Sequence, residues 1–544
     1  MDTLVADVTV WAGLRPRPEP GWLVVSDGRI EHVGTVAQAP PDDEGLRVVS
    51  RPGHHVLPGL TDAHSHLSVG CWLPATIDGS RWRCREDALE AVAAAHADEP
   101  DGWLLATGFD HATWRDPRPP RHDDLEAVAP GRKVLLIHLS LHAGVLSSRG
   151  LDAVARSSPG FHRLDDLDRG RRGQPTGMVW EGAFGRAVFA VGRELTGQLG
   201  EPTMVELLEA EAQRHLRVGI TRAHDPAVPP DGHGRMRATA AATPLRLSWA
   251  ITGEVGLLDP PPGSSELPEG PYGQAGRHAK LFLDGAQRCA LRLPVGALPP
   301  MIAATVGDVR RARSLGPARA ALQRRLRVTP RSVRLPYLRH DDASVLARLA
   351  DWLDGGVRPR IHALGNEAVA QATQLLRQAG APSGGASIEH AMFLTPADRE
   401  ALARSGAVAS LQPGFIPHYG PEALASGATG HLEVLALRTL LADGVVCAIS
   451  SDHPCGPLDP LHNLRRAVDR RLDGGRLQPE QAITPAEAVT AMTAGGAAAL
   501  GVPAEQATLV PGAPADLAVC DGDPFDEATR VVETWVAGHP VPAT

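Results

Sequence analysis

The sequence predicts an α/β protein in which a (β/α)8 barrel is joined to a small β domain made from both ends of the chain. A chain of 544 residues is too long for a single small hydrophobic core, and its hydrophobic fraction of 43% is sufficient for a large one. Segments with the sequence pattern of short β-strands stand at both termini. Between them, apolar strand-like runs alternate with Ala/Leu/Arg-rich helical text, a pattern typical of a parallel sheet covered by helices.

The two ends of the chain share a pattern of short strands and tight turns. Near the start, GWLVVSDGRIEHVG contains Asp27-Gly28, a dipeptide typical of a β-hairpin. Near the end, ADLAVCDGDPF and RVVETWVAGHPV repeat the pattern, with a turn at Gly538-His539. We therefore expect residues 1–58 and 506–544 to form one composite β domain and residues 59–505 to form the barrel.

The middle of the chain contains eight apolar runs that each stop at a polar or Gly/Pro cluster. They are HHVLPGLTDAHSH (54–66), GITRAHDP (219–226), LRLSWAIT (245–252), AKLFLDG (279–285), RPRIHALG (358–365), GASIEH (385–390), AVASLQP (407–413) and VVCAISSDHP (445–454). Eight such units predict a (β/α)8, or TIM, barrel. Two long insertions, residues 67–205 after the first strand and residues 286–345 after the fourth, are expected to lie over the C-terminal mouth of the barrel.

Histidines and an aspartate stand at the ends of four of these strands. His64 and His66 end the first strand, and because residues i and i+2 point to the same side, both can hold one ion. His362, His390 and Asp452 end the fifth, sixth and eighth strands. Strand ends converge in a barrel, and imidazole with carboxylate suits zinc, or iron, manganese or nickel. One such pair could arise by chance among 23 histidines, but the combination indicates a metal centre.

A lysine at position 280 stands out in an arginine-rich chain. Of the 54 Lys and Arg residues, only Lys133 and Lys280 are lysines, which leaves 52 arginines. A neutral lysine amine can add CO₂ to form a carbamate that bridges two metal ions, whereas an arginine guanidinium stays protonated. The alternative is an ordinary ion pair between Lys280 and Asp284 or another carboxylate. The rarity of lysine here favours the carbamate.

Composition restricts the partners and the compartment. The net charge is −9 and the pI is 6.2, which gives no reason to expect nucleic acid. Neither a signal peptide nor a membrane-spanning apolar run is evident, so a cytoplasmic location is expected. The scattered cysteines predict reduced thiols at positions Cys71, Cys84, Cys289, Cys447, Cys455 and Cys520. We expect a small-molecule substrate and allow a homodimer.

The motifs PGLTDAHSHL, KLFLDG, IHALGNEAV, IEH and SSDHP, in this order, resemble the amidohydrolase superfamily. Within it they are similar to the family-3 branch, which includes N-substituted formamide deformylase-like enzymes. The resemblance extends over nearly the whole chain. It implies a distorted (β/α)8 TIM barrel and a composite β-sandwich formed by the two termini.

The resemblance also implies a divalent metal centre, with zinc as the expected metal. Its ligands would be His64, His66, Lys280, His362, His390 and Asp452. The first-strand histidines would bind the more buried ion, and carbamylated Lys280 would bridge to a second ion held by the other two histidines. A single ion is the alternative. Asp452 would also serve as the general base.

The reaction expected from the resemblance is hydrolysis of a non-peptide C–N bond, in an N-substituted formamide or N-acyl compound. A cyclic amide or lactone hydrolase, or a deaminase, on the same scaffold is the alternative, and a non-catalytic barrel is a third reading. Departures from the family pattern, AQRCALRLP after KLFLDG, Asn366 and Ser140-Leu141-His142, leave the substrate open. Candidate substrate contacts are His142, His224, Trp72, Trp114 and Gln412.

Overall fold

Eight parallel strands form the central sheet of the protein. The structure, a computed structural model, describes residues 2–14, 17–38, 40, 45–98, 102–114, 116–170, 172–268, 277–312, 326–425 and 430–542. In spatial order the strands are β6 (Leu60–Asp62), β13 (Ile220–Val228), β14 (Arg246–Ile251), β15 (His278–Phe282), β19 (Arg358–Ala363), β20 (Ser387–His390), β22 (Val408–Leu411) and β24 (Cys447–Ile449). Each of the eight predicted runs supplies one strand, which confirms the predicted barrel.

The barrel closes where the ends of its first and last strands meet. The Asp452 backbone N–H donates to the His64 carbonyl oxygen at 2.8 Å, and the His66 N–H donates to the His453 carbonyl at 2.7 Å. The buried Asp62 carboxylate reinforces this seam by accepting the Ser451 backbone N–H at 3.0 Å. Two segments that carry predicted metal ligands are therefore fixed to each other by main-chain hydrogen bonds.

Helices connect and cover the barrel strands. They are α1 (Leu67–Gly70), α2 (Arg85–Asp98), α3 (His122–Val128), α4 (Ser148–Ser157), α5 (Glu181–Leu199), α6 (Glu201–Arg217), α7 (His233–Ala242), α8 (Leu298–Ala312), α9 (Asp342–Asp354), α10 (Asn366–Gln378), α11 (Pro396–Ser405), α12 (Ile416–Ala425), α13 (Leu437–Ala442), α14 (Pro460–Asp469), α15 (Pro485–Thr490) and α16 (Gly496–Ala499). Local sequence sets their ends. In α11, Thr395 and Asp398 form a capping box, and Gly406 ends the helix at φ +68°.

The insertion after the first barrel strand carries a sheet of its own. Its strands are β7 (Ile77–Asp78), β8 (Trp103–Phe109), β9 (Lys133–His138), β10 (Ala143–Leu146), β11 (Leu167–Arg169) and β12 (Pro175–Trp180). Phe109, Trp114 and Leu136 belong to a separate apolar cluster within it. Helices α5 and α6 then lead the chain back to β13, so the excursion ends at Arg217.

The two ends of the chain share one sheet of eight strands. They are β1 (Thr3–Ala12), β2 (Arg17–Ser26), β3 (Arg29–Thr35), β4 (Arg47–Ser50), β5 (His55–Pro58), β27 (Leu517–Cys520), β28 (Val531–Val536) and β29 (His539–Pro540). Strand β27 pairs antiparallel with β5 and joins the C-terminal segment to the N-terminal one. The exact domain boundaries stay predictions.

Shorter strands complete the structure. They are β16 (Leu291–Pro294), β17 (Arg327–Val328), β18 (Ser332–Leu335), β21 (Phe393–Leu394), β23 (Glu433–Val434), β25 (Arg471–Leu472) and β26 (Gly475–Arg476). The first three form a small sheet within the predicted 286–345 insertion, of which residues 313–325 lie outside the described residues. Within the described ranges, no helix combines the length and the hydropathy needed to cross a membrane.

Candidate metal centre

The predicted metal-ligating side chains meet at the C-terminal end of the barrel. The Asp452 Oδ1 atom lies 3.3 Å from His64 Nε2 and 3.1 Å from His66 Nε2. The His390 ring centroid lies 4.9 Å from that of His64 and 4.5 Å from that of His362. These side chains, with Lys280, line one cavity. Residues separated by almost 400 positions are thus brought together by the closing of the barrel.

Hydrogen bonds fix the orientation of two of these imidazoles. His64 Nδ1 lies 2.6 Å from the buried Glu389 carboxylate, which can only accept, so Nδ1 carries the proton. His390 Nδ1 lies 2.9 Å from Gln412 Oε1, and the Gln412 amide nitrogen donates to Ser450 Oγ at 2.9 Å. In each of these histidines Nδ1 is the nitrogen that has the hydrogen-bond partner, which leaves Nε2 as the atom available to a metal.

Lys280 is fully buried and its amine has no hydrogen-bond partner among the described residues. Asp284, the alternative partner considered above, accepts backbone N–H groups from Leu364, Gly365 and Ala290 at 2.8–2.9 Å. Burial lowers the pKa of Lys280 to about 8, against the opposing pull of nearby carboxylates. The neutral amine that reacts with CO₂ is therefore far more populated than on an exposed lysine.

The charges of the other donors suit a cation. Burial would raise the pKa of Asp452, but His64 and His66 hold it well below its usual range. Burial lowers the pKa of His390 to about 3 and that of His362 well below its usual value. Asp452 is therefore an anionic carboxylate, and His362 and His390 are neutral imidazoles, which are the protonation states that metals require of these ligands.

The backbone at two of these positions is strained. His390 has φ +75° and Asp452 has φ +54°, both in the left-handed region that favours glycine. Such conformations cost about 1–3 kcal/mol each and persist where the surroundings impose them, most often at functional sites. Both residues line the common cavity.

The donor set fits a bound divalent metal. Among the described residues, the buried atoms that lack a hydrogen-bond partner include Lys280 Nζ, His362 Nε2 and Asp452 Oδ1. Unpartnered buried polar atoms are costly, and their coincidence in one cluster indicates a missing ligand. Imidazoles combined with carboxylates are ligands typical of zinc and related transition metals.

The other candidate residues lie at different depths. His142 lines the cavity, 5.1 Å from the His362 ring, with Nδ1 2.6 Å from Glu181 Oε2. Trp72 also lines it. Gln412 is buried behind His390.

Two candidates lie outside the cavity wall. His224 is fully buried, bonded through Nδ1 to Ser248 Oγ at 2.8 Å and packed on His278 at 4.7 Å. Trp114 packs on Phe109 at 5.9 Å in the core of the insertion, so the structure does not place it against the cavity. Its position shortly after β8 in sequence gave no indication of which side of the insert sheet it would occupy.

Several residues around the centre escaped the sequence prediction. Glu389 and Asp62 hold metal-ligand segments in place, and each stands next to a predicted strand end. Glu181 begins α5 after β12 and bonds to His142. The adjacency of Glu389 to His390 was a usable signal, whereas Glu181 could be found only from the three-dimensional path of the insertion.

Comparison with known proteins agrees with this architecture. Residues 48–542 match the family model described as the amidohydrolase family. An N-substituted formamide deformylase from Arthrobacter pascens is 28% identical over 95% of this chain and 94% of its own. An uncharacterized metal-dependent hydrolase from Pyrococcus furiosus has a TM-score of 0.67 at 19% identity, covering 97% of this chain and 100% of that chain.

A further structure extends the likeness of fold. Atrazine chlorohydrolase TrzN from Arthrobacter aurescens TC1, complexed with zinc, has a TM-score of 0.54 at 15% identity and covers 99% of this chain and 94% of that chain. At such identities the solved structures establish the fold alone. Because the family model spans nearly the whole chain, the protein belongs to the amidohydrolase family and is a hydrolase that acts on carbon–nitrogen bonds.

Proposed function

We propose that this protein hydrolyses an acyclic amide, an N-substituted formamide or N-acyl compound whose substituent is apolar. The observation that carries the proposal is the convergence of buried, unpartnered metal donors at the end of one cavity with apolar walls. The name of the Arthrobacter pascens relative, N-substituted formamide deformylase, supports the same bond type.

The proposed ligands are His64, His66, Lys280 as its carbamate, His362, His390 and Asp452. Zinc is the proposed metal, with two ions bridged by the carbamate and one ion as the alternative. When bound there, a divalent metal would supply Lewis acidity toward water and the substrate carbonyl. The neutral imidazoles of His362 and His390 and the anionic Asp452 are in the protonation states that this role needs.

Asp452 is the proposed general base. Its Oδ1 lacks a hydrogen-bond partner among the described residues and faces the cavity between His64 and His66. The carboxylate would take a proton from the attacking water and deliver it to the leaving nitrogen. Because its pKa is held low, it stays ionised at neutral pH and is available to accept that proton.

The apolar walls define the substituent. The cavity is lined from the insertion and α6 by large apolar side chains: Trp72, Phe184, Val188, Phe189, Met204 and Leu208. His142, hydrogen-bonded to Glu181, lines the same cavity 5.1 Å from the His362 ring and is the proposed contact for the polar amide. Such a chamber favours an alkyl or aryl group by removing its surface from water.

The test combines metal removal with a substrate series. We expect chelation to abolish hydrolysis of N-phenylethylformamide, N-butylformamide and the corresponding N-acetyl amines, and added zinc to restore it. Formate or acetate release is the measurement, and ammonia release from amino-substituted heterocycles measures the deaminase alternative.

A matched pair of variants localises the chemistry. Asp452→Asn should lower kcat by at least roughly 100-fold, because it removes the base. Asp473→Asn, at an exposed hairpin turn, is the control and should change nothing. Full activity in the metal-free protein, or in Asp452→Asn, would overturn the proposed mechanism.

A further inference from the structure

A second group of histidines lies in the insertion, outside the wall of the catalytic cavity. One ligand atom each from Asp110, His111 and His138 lies within 4.8 Å of the other two. Asp110 Oδ1 is 3.2 Å from His138 Nε2, and Asp110 Oδ2 is 3.2 Å from His418 Nε2. Ligands placed tetrahedrally around zinc are separated by about 3.3 Å, given Zn–N and Zn–O bonds near 2.0–2.1 Å.

The fold brings these residues together from two parts of the chain. Strands β8 and β9 are parallel neighbours, and Phe109 pairs in register with His138, so Asp110 and His111 follow directly at the same sheet end. His418 belongs to α12, which follows barrel strand β22. The group therefore spans the boundary between the insertion and the barrel.

The group contains a buried nitrogen atom that lacks a hydrogen-bond partner among the described residues. His111 Nδ1 is buried and has no hydrogen-bond partner in the described part of the chain. Within the same ranges, the Asp110 carboxylate has as partners the Ala112 N–H and the imidazoles of His138 and His418. A carboxylate surrounded by imidazoles offers the donor types that a divalent cation of the zinc class binds.

Two hydrogen-bonding arrangements are available at His138. Its Nδ1 lies 3.0 Å from Ser140 Oγ, which can accept the Nδ1 proton and leave Nε2 free for a metal. The Ser140 backbone N–H also points to Nδ1 at 3.1 Å, and if Nδ1 accepts it, Nε2 donates to Asp110 instead. The first arrangement binds a cation, and the second is an ion-free network. Zinc binding distinguishes them.

We propose that Asp110, His111, His138 and His418 form a second divalent-cation site of the zinc class, separate from the catalytic centre. The cation would join the end of the insert sheet to α12 and so hold the insertion against the barrel. Two of the insertion's strands would then be anchored next to the segment that provides the cavity wall. With all four residues as ligands the site would have no open position and would be structural.

The test counts zinc in protein that lacks two of the proposed catalytic ligands. In a His64→Asn/His66→Asn background, equilibrium dialysis against zinc should leave about one ion that resists weak chelation, as expected of a closed four-ligand site. Adding His138→Gln should remove it. His162→Gln, an exposed histidine of the same insertion, is the matched control and should keep it.

A surface variant protects the test against misfolding of the buried one. His418→Gln, at a side chain 34% exposed, should raise the zinc dissociation constant at least roughly ten-fold while circular dichroism stays unchanged. Zinc should also raise the melting temperature of the parent background, and this shift should disappear in both variants. Equal zinc content and equal thermal shift in parent, His138→Gln and His418→Gln would overturn the site, whatever the fate of the proposed amide hydrolysis.

Discussion

At the scale of single residues, Lys280 is the position whose chemistry is most constrained. Its amine is wholly buried, lies 4.9 Å from the Phe282 ring centroid, and has no hydrogen-bond partner among the described residues. A buried ammonium in that state would be costly, because its desolvation is not compensated. The proposed conversion to a carbamate would replace the cation by an anion that a metal can bind. The environment of Lys280 therefore favours modification over simple charge pairing.

Replacement of Lys280 should separate the carbamate from a simple lysine role. We expect Lys280→Ala and Lys280→Arg each to lose at least about 100-fold in activity and part of the bound metal, since neither side chain can bridge ions. Short carboxylic acids should partly restore Lys280→Ala, where space is left, and should not restore Lys280→Arg. The measurements are metal content and amide hydrolysis.

The only other lysine provides the control for this experiment. Lys133 pairs with Glu194 in the insertion, and Lys133→Ala should retain metal and activity. After exchange into ¹³C-labelled bicarbonate, a carbamate carbon signal should be present in the parent and in Lys133→Ala and absent from Lys280→Ala. A signal that survives in Lys280→Ala, or full activity of that variant, would rule out the carbamate.

Glu389 should couple metal affinity to stability. Its Oε2 orients His64 at 2.6 Å, and its Oε1 lies 2.9 Å from the fully buried Arg360 Nε. Glu389→Gln keeps the shape but removes the charge, so we expect metal affinity to fall about 10–100-fold. The free energy of unfolding should fall by about 3–5 kcal/mol, because a buried guanidinium loses its counter-ion. Metal titration and urea unfolding measure the two effects.

The same Glu→Gln change at an exposed position serves as the reference for Glu389→Gln. Glu400→Gln removes a charge from an exposed i,i+4 pair with Arg404, where less than about 1 kcal/mol is at stake. If Glu389→Gln bound metal as tightly as Glu400→Gln does, His64 would not depend on Glu389 for its orientation.

At the scale of elements, the sequence predicted those strands and helices whose pattern depends on neighbouring residues, and it did not predict contacts between distant segments. Each barrel strand is a short apolar run bounded by polar residues, so all eight were predictable, and His64 and His66 followed from the two-residue period of a strand. The insert sheet was not predicted, because its order β11-β12-β10-β9-β8-β7 depends on contacts between distant segments. The cavity position of Trp72 and the core position of Trp114 likewise depend on that path.

Gly192 of helix α5 lies next to the Trp72 ring in the wall of the cavity. A Cβ atom added at Gly192 would lie 3.1 Å from the Trp72 ring, so a larger residue must push that ring or occupy the cavity. Gly192→Leu should therefore raise KM for N-phenylethylformamide at least roughly ten-fold and change KM for N-methylformamide little. The comparison of KM between long and short substituents is the measurement.

The same helix supplies a matched control. A Cβ at Gly197 would meet nothing within 4 Å, so Gly197→Leu carries the same change in helix propensity without filling the cavity. Equal effects of Gly192→Leu and Gly197→Leu on both substrates would mean that this face of α5 does not contact the substituent.

At the scale of the whole molecule, the shared sheet of the two termini is tied to the barrel by a charged contact. Asp516, next to β27, receives two hydrogen bonds from Arg246 of barrel strand β14, at 2.6 and 3.1 Å. The same carboxylate accepts the Ala537 backbone N–H at 2.9 Å, where the chain turns between β28 and β29. The Asp516 side chain thus links the hairpin of β28 and β29 to Arg246 of β14. Strand β15, which pairs with β14, carries Lys280.

Removal of this contact should loosen the terminal sheet from the barrel. Asp516 is 7% exposed, so Asp516→Ala removes two charge-assisted hydrogen bonds from Arg246 and the acceptor of the Ala537 backbone N–H. Hydrogen bonds to charged groups contribute about 1.5–3 kcal/mol each in such settings, and we expect the free energy of unfolding to fall by at least about 2 kcal/mol. Urea unfolding followed by circular dichroism measures this loss.

Asp526→Asn, at an exposed turn of the same segment, should shift the midpoint of urea unfolding little. Equal midpoints for the two variants would mean that the terminal sheet contributes to barrel stability through apolar packing rather than through Asp516.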